Sequence, residues 1–346
     1  MDEEQDAEAF DYEIMPHNLI SSSLYIETPE DARNWYNAIQ PRGPIDLCDL
    51  LPEYIYLGVE SLRELSGICM LDWLPELLAP KPQFNNTPTL FLRLSGNEDI
   101  VYALTTSNLR RLTLIFELPH DEWPKYLQSL HLATGLTSLS INDATRDTSP
   151  LNVALTEVLN SQLATLPLLT RLHLTAAFDL NLVQFPVDLT ELTVWNAKPL
   201  QFEFNRLQTF HFYFDATSSS DSLFAMVRNL PTTLMDLTLS PQTWSYPNSD
   251  WDSLFGALSH LRNLTTFTVC YISMKEGTKW PKLVNSSQNW TQLLRFGDYL
   301  KWSPEFLQQC LEVNHPVFPA LEELDTDVVP GFPIAALAKF PCIRKL

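Results

Sequence analysis

A short hydrophobic pattern, Leu-x-x-Leu-x-Leu, recurs along this chain and constrains its fold more than any other feature. Once other apolar residues are allowed at the leucine positions, the good copies begin at Leu109, Leu136, Leu169, Leu189, Leu207, Leu234, Leu264 and Leu321. Weaker copies are Thr89-Leu92-Leu94 and Thr291-Leu294-Phe296, and an unfinished copy begins at Ile343. The ten steps from position 89 to position 343 average about 25 residues. A recurring unit of this length predicts a repeat protein.

The second and third apolar positions of the pattern lie two residues apart, so on a strand they face the same side. One strand cannot bury that side alone, and consecutive strands must stack to cover it. With these motifs, residues 88–346 resemble the leucine-rich-repeat family, whose repeats have about 20 to 29 residues. The resemblance implies an α/β solenoid of about ten irregular repeats. Its curved parallel sheet would carry helices and loops on the convex side.

The segments between the strands vary in length. Residues 151–166, 219–230 and 249–261 read as helices that return the chain to the next strand. Each return is expected to end at a Leu-Pro or Phe-Pro pair, because proline cannot continue a helix. The steps that begin at Thr89, Leu169 and Leu189 span 20, 20 and 18 residues, which is too short for a full helix, so short loops or single turns are expected there. The asparagine that regular members of the family place after the strand occurs only at Asn97, so uneven turns are expected.

Residues 16–87 lack clean repeats and are predicted to form a mixed N-terminal cap over the first repeat. Within them, residues 23–26 read as a strand. Residues 28–39 read as a helix, with Thr28 as its cap and Pro29 at its first position. An alternative interpretation concerns residues 51–78, which are similar to an F-box through Leu51, Pro52, Leu62, Leu65, Cys69 and Trp73. That resemblance implies a substrate receptor of a ubiquitin ligase, which would bind an adaptor of the Skp1 type.

The acidic charge of the chain limits the classes of molecule that it is expected to bind. The net charge is −20, and residues 1–32 contain ten acidic residues and no basic one. Residues 1–15 are predicted to be an acidic, disordered arm. An acidic chain is poorly suited to phosphate backbones or anionic membranes, so neither nucleic acid nor a membrane is the expected partner. No signal peptide or transmembrane segment is recognisable, which favours the cytoplasm, with the nucleus as an alternative.

No catalytic motif or metal-ligand spacing is present in the sequence. The five cysteines are widely spaced and contain no Cys-x-x-Cys, which argues against a zinc site or a disulfide framework. The seven histidines are scattered, and nine glycines leave no phosphate-binding loop. The chain is therefore expected to be a non-catalytic interaction protein without a cofactor or a metal.

The repeat pattern predicts which side chains face outward from the sheet. In the concave surface of a solenoid these residues contact the partner. Trp, Tyr and Arg are favoured anchors at interfaces. The candidate site for a partner protein is accordingly Arg111, Arg171, His173, Trp195, His211 and Tyr213. The alternative is that Trp195 and Tyr213 only pack against each other.

The last residues, 343–346, begin a repeat that is not finished. An unfinished repeat leaves apolar surface exposed. The expectation is that the chain is a fragment of a longer protein, or that this edge is covered by a partner or a second copy.

Overall fold

The fold is seen in a computed structural model. It describes residues 23–26, 30–31, 33–34, 54–58, 89–94, 100–101, 104, 109–145, 153–175, 178–197, 199–200, 204–214, 220–241, 248–269, 280–296, 304–322 and 334–344. These residues are built around one sheet of eleven strands, and the order of the strands in space is their order along the chain. The strands are β1 Ser23–Ile26, β2 Tyr54–Gly58, β3 Thr89–Leu94, β4 Arg111–Phe116, β5 Ser138–Asp143, β6 Arg171–Leu174, β7 Glu191–Ala197, β8 Thr209–Phe214, β9 Asp236–Pro241, β10 Thr266–Val269 and β11 Arg295–Phe296.

Every neighbouring pair of strands is parallel, and the register follows the repeat pattern. Leu112 is paired with Leu139, Leu139 with Leu172, and Leu172 with Leu192. The second apolar position of each repeat therefore lies beside the same position of the next. These leucines are at most 2% exposed because they form one face of the sheet and pack into a continuous core. The predicted parallel α/β solenoid is confirmed.

The helices lie in the return segments between strands. They are α1 Trp123–Leu127, α2 Val153–Leu163, α3 Ser220–Arg228, α4 Asn248–Ala257, α5 Pro281–Ser286 and α6 Pro304–Glu312. Short 3-10 turns accompany them at Gln128–Leu132, Leu258–His260, Ser287–Asn289 and Ile334–Lys339. The three predicted return helices are confirmed as α2, α3 and α4. The short steps after Leu169 and Leu189 contain turns and no helix in the residues described there, 178–190, 199–200 and 204–208, as their lengths predicted. In the short step after Thr89, residues 101 and 104 are helical, and the N–H of Leu104 donates to the Ile100 carbonyl at 3.1 Å, as in a single turn.

The predicted register of the two weak repeats is wrong by two residues. Strand β11 begins at Arg295, two residues after Leu293, which is buried, whereas Leu294 is 42% exposed. Leu293, and not Thr291, is therefore the first position of that repeat. In β3, Leu90 and Leu92 pair with Leu112 and Leu114, so Leu92 is a third position and not a second one. In β3, Leu90, Leu92 and Leu94 alternate, so the pattern fits in either register. At β11, Leu294 and Phe296 resemble a second and a third position, but Phe296 pairs with Phe267 and is a second position.

The predicted N-terminal cap contains two strands of the same sheet. Strand β1 confirms the predicted strand at residues 23–26 and pairs with β2, which pairs with β3. Residues 30–31 and 33–34 are helical, within the predicted helix at 28–39. Strand β2 lies inside the F-box-like segment, and the other residues of that segment fall outside the described part of the chain. Both the F-box and the boundary at residue 87 stay predictions. Residues 1–22, with the acidic arm, also lie outside the description.

Aromatic side chains join the sheet to the return segments. Phe116 in β4 stacks on Trp123 in α1, with ring centroids 4.1 Å apart. Phe214 in β8 lies 6.3 Å from Trp251 in α4. These rings are fully buried, and they lie on the same face as the leucines. The helices therefore cover the leucine face, and the other face, which we call the polar face, carries the alternate residues of each strand, such as Thr113, Ser140 and His173.

A shared carbonyl links each strand to the next one. The Thr170 carbonyl accepts hydrogen bonds from the N–H groups of Thr190 and Glu191, at 2.8 and 3.1 Å. The Thr190 hydroxyl also donates to this carbonyl at 3.2 Å. The same double acceptance recurs at the carbonyls of Arg110, Thr137, Thr190, Gln208, Met235 and Thr265. Further along the chain the N–H of Arg344 donates to the Glu322 carbonyl at 2.8 Å, so the bonding pattern reaches the last described repeat.

Candidate functional site

The predicted site residues lie on the polar face of the sheet. Arg171 and His173 lie on β6, Trp195 on β7, and His211 and Tyr213 on β8. They alternate with buried residues such as Leu172, Val194 and Phe212, which place them opposite the core. Three consecutive strands therefore bring five of the six residues together. Arg111 lies on β4, two strands from β6, and is connected to Arg171 through their shared register with Ser138.

The rings of Trp195 and Tyr213 form the centre of the site. These residues are direct register partners on β7 and β8, and their rings stack with centroids 3.7 Å apart and an angle of 7°. On the other side of Trp195, the His173 ring lies nearly parallel at 6.4 Å, from a diagonal position on β6. Trp195 remains 39% exposed, and Tyr213 and His173 are half-buried. The stack is therefore rigid and still presents an apolar edge to solvent.

A β-bulge follows the aromatic pair. Trp195 is paired with Tyr213, but Phe214 is paired with Ala197, so β7 contains one residue more than β8 at this point. A bulge bends its strand and redirects the side chains around it. Regular pairing of β7 therefore ends directly beside the exposed tryptophan.

Two histidines and one carboxylate lie beside the stack. His173 and His211 are both in register with Thr193 of β7, one on each side. Burial, together with the charge of the nearby His211, lowers the pKa of His173 to about 4, so His173 is neutral at pH 7. The Nε2 of His211 lies 3.6 Å from Oδ1 of Asp236, a half-buried carboxylate on β9. The site thus combines a neutral imidazole with an imidazole that can form an ion pair.

Charged residues occupy one register row at the start of the strands. The row runs through Arg111, Ser138, Arg171, Glu191, Thr209, Asp236, Thr266 and Arg295 from β4 to β11. Two arginines are followed by two carboxylates. Among the described residues, Arg171 and Glu191 form no ion pair with each other, although their strands are neighbours. The sequence reasoning missed Asp236, although it occupies the same repeat position as Arg171 and could have been found from that position.

A buried histidine and aspartate pair lies outside the predicted site and was not foreseen. His120 Nε2 is 2.7 Å from Asp143 Oδ2, and both side chains are 8% exposed. Asp143 also accepts hydrogen bonds from the N–H and the hydroxyl of Thr145, at 2.9 and 2.6 Å. The His120 ring meets the face of Trp123 edge-on at 4.8 Å. The Asp143 carboxylate therefore joins β5 both to the segment before α1, through His120, and to Thr145.

The observation that decides the fold is the combination of the strand order with the repeat pattern of the sequence. Parallel strands lie in chain order, and from β4 to β11 each begins two residues after a buried apolar residue of the pattern. From β5 to β11 each strand also donates the same pair of hydrogen bonds to a carbonyl of the preceding repeat. The chain has the leucine-rich-repeat fold. No family model matches the chain, and no curated protein matches it.

Among solved structures, the chain is similar to the leucine-rich repeat-containing protein LegL7 from Legionella pneumophila. Their sequences are 15% identical, and the TM-score is 0.45. The match covers 78% of this chain and 88% of that chain. The strand order and register of this chain are those of the leucine-rich-repeat fold.

Two of the five cysteines are described, and both are free: Cys310 is buried and Cys342 is exposed. Burial raises the pKa of the Cys310 thiol to about 12, so that thiol is unreactive. No group of three or more His, Cys, Asp or Glu side chains that could hold a metal ion occurs within the described ranges. Within the same ranges no helix has the length and apolar character needed to cross a membrane.

Proposed function

We propose that this chain is a non-catalytic interaction module that binds a partner protein on the polar face of its sheet, at the stack of His173, Trp195 and Tyr213. The observation that carries the proposal is the exposed edge of Trp195. A tryptophan that is 39% exposed in the middle of a sheet leaves a large apolar surface in water. If the sheet curves as the resemblance implies, the polar face is the concave one.

The surroundings of Trp195 are suited to recognition. Its ring is held between His173 and Tyr213, so little conformational entropy is lost when a partner covers it. Interface hot spots are enriched in Trp, Tyr and Arg and are ringed by polar groups. Arg171, Glu191 and His211 provide such groups around the stack. Localisation in the cytoplasm or the nucleus and the absence of a cofactor belong to the same proposal.

The test is capture of partner proteins on immobilised chain, with the wild type compared with Trp195→Ala and Tyr213→Ala. A captured protein is then purified, and its dissociation constant is measured by calorimetry. Because truncation of a hot-spot residue costs about 2 kcal/mol or more, each variant is expected to bind about 30-fold more weakly. Loss of one stacked ring on the surface should cost only about 1 kcal/mol of unfolding free energy.

The matched control is Val187→Ala. Val187 is an apolar residue with 87% exposure in the turn before β7, away from the polar face. Its substitution should leave both the captured protein and its affinity unchanged. If Trp195→Ala keeps full affinity and instead lowers the unfolding free energy by several kcal/mol, the stack is structural and the proposal fails.

A further inference from the structure

We infer that the partner presents a bipolar surface to this site, with an acidic group facing Arg111 and Arg171 and a basic group facing Glu191 and Asp236. This inference rests on the proposed function and adds the chemistry of the partner. The order of charges in one register row supports it. Both arginines precede both carboxylates along the sheet, and none of the four is fully buried.

The spacing between strands gives the dimensions of the complementary surface. Neighbouring strands lie about 4.8 Å apart, so Arg111 on β4 and Asp236 on β9 are separated by about 24 Å. The change of sign falls between Arg171 and Glu191, which are direct register partners on β6 and β7. Arg295 lies two strands beyond Asp236 and limits the acidic stretch to β7–β9. An extended polypeptide spans 24 Å with about seven residues.

The aromatic stack adds an apolar contact to the same partner. Trp195 lies four residues after Glu191 on β7, which is about 13 Å along the strand. His173 and His211 occupy the space between the charged row and the aromatic pair. A partner that covers both rows therefore needs an apolar residue to one side of its two charged groups. A polyanion such as nucleic acid would meet Glu191 and Asp236 unfavourably, which is why we infer a polypeptide.

The experiment uses three synthetic fluorescent peptides of equal length that share the same neutral central segment and test the charged row without the aromatic stack. One carries two glutamates at one end and two lysines at the other, one carries glutamates at both ends, and one carries lysines at both ends. Binding to the full chain is measured by fluorescence anisotropy at low and at high salt. The bipolar peptide is expected to bind about fivefold more tightly than either of the others, and high salt should remove the difference.

Two variants of the chain test the order of charges directly. Arg171→Glu makes the row acidic from β6 to β9 and should shift the preference to the lysine peptide. Glu191→Arg extends the basic stretch to β7 and should shift the preference toward the glutamate peptide. Both side chains are half-buried, and neither contributes to the leucine core, so the two variants should melt close to the wild type.

Two results would overturn the inference. If the lysine peptide binds the wild type as tightly as the bipolar peptide does, binding follows only the net charge of −20. If the bipolar peptide does not bind at 1 mM, the row does not select charge order. In either case, loss of the captured partner on Trp195→Ala would leave the interaction function in place. If Trp195→Ala captures the partner unchanged and the peptide selectivity is intact, the aromatic stack is not the anchor of the interaction. The inferred bipolar surface of the partner would then still stand.

Discussion

At the scale of single residues, His173 makes the stability of the folded chain depend on pH. Its pKa is about 4 in the folded chain, because burial and His211 both disfavour the charged ring, against about 6.5 in an unfolded chain. Between pH 6.5 and 4 the imidazole of His173 is protonated in the unfolded state but remains neutral in the folded state. The folded state therefore loses stability as the pH falls from about 6.5 to 4, and this contribution becomes constant below pH 4.

The prediction is that His173→Gln flattens this part of the stability profile. In the wild type, the unfolded state binds at most one proton more at this residue than the folded state does. This difference lowers the unfolding free energy by at most about 1.4 kcal/mol for each pH unit. Urea denaturation of the wild type and the variant at several pH values between 7 and 4 measures the difference. His131→Gln is the control, because His131 is exposed and bonds only the nearby Gln128 carbonyl in the described residues. If the unfolding free energies of the wild type and His173→Gln fell in parallel with pH, the lowered pKa of His173 would be contradicted.

The sequence correctly predicted which face of the sheet carries the site residues in those repeats that match the pattern well. Trp195 and Tyr213 follow Val194 and Phe212, and a period of two placed them on the polar face. The stacking distance and the ion-pair geometry of His211 depend on neighbouring strands that only the fold brings together. The repeat position of Asp236 could have been read from the sequence, but its contact with His211 could not, since the two residues are 25 apart in the chain and 3.6 Å apart in space.

At the scale of elements, side chains of one repeat complete the helix or loop of the next. Oδ1 of Asp252, in α4, accepts the N–H groups of Lys282 and Leu283 in the first turn of α5, at 2.9 and 3.1 Å. In α2, Thr156 and Asn160 bind the backbone of the loop that replaces a helix in the following repeat, at Asp179 and Gln184. The returns are thus held to each other through polar contacts as well as through the core.

Asp252→Ala is expected to lower the unfolding free energy by about 1–3 kcal/mol, since it leaves two N–H groups without an acceptor in a buried position. Asp252→Asn keeps an oxygen at the same place. It should cost less, because burial raises the pKa of Asp252 and so already penalises its charged form. Denaturant unfolding of both variants measures the effect. Equal losses for alanine and asparagine would show that packing, and not capping, is what Asp252 contributes.

The elements that the sequence predicted best were those with strong local signals. The helices α2, α3 and α4 formed as expected. The returns of α2 and α3 end at Leu166-Pro167 and Leu230-Pro231, whereas the return of α4 ends at Leu261-Arg262, without the predicted proline. Strand β11 was misplaced because Leu293 and Leu294 are adjacent and both suit the pattern. Only packing against the neighbouring repeat selects Leu293 as the buried one. Strands β1 and β2 were read as a cap because their first repeat positions, Ser21 and Pro52, are not leucines.

At the scale of the whole molecule, each repeat contacts mainly its neighbours, so stability is local. Phe255 connects four aromatic residues of the C-terminal half: Trp251, Phe267, Trp280 and Phe296 lie 5.8–6.1 Å from it. In the N-terminal half, Phe178 contacts Trp123 at 5.9 Å. A cavity at either phenylalanine should therefore weaken one part of the sheet and not the other.

Phe255→Ala is expected to cost about 3–5 kcal/mol locally and to accelerate amide hydrogen exchange in β9, β10 and β11, with β4 and β5 unchanged. Phe178→Ala is the matched comparison and should produce the opposite distribution. Hydrogen exchange followed by mass spectrometry resolves both regions. A uniform increase along the chain in either variant would show that the solenoid unfolds as one cooperative unit.

From β4 to β11, the carbonyl that accepts two N–H groups at the start of the next strand makes the backbone bonding of the junctions alike. An insertion or deletion of one complete repeat therefore leaves the remaining junctions intact, because the Thr170 carbonyl can meet Gln208 and Thr209 as readily as Thr190 and Glu191. Such an event moves everything beyond it by one strand spacing, about 4.8 Å. During evolution, the distance between the arginines and the carboxylates can thus change in fixed increments, with the rest of the binding surface carried along unaltered.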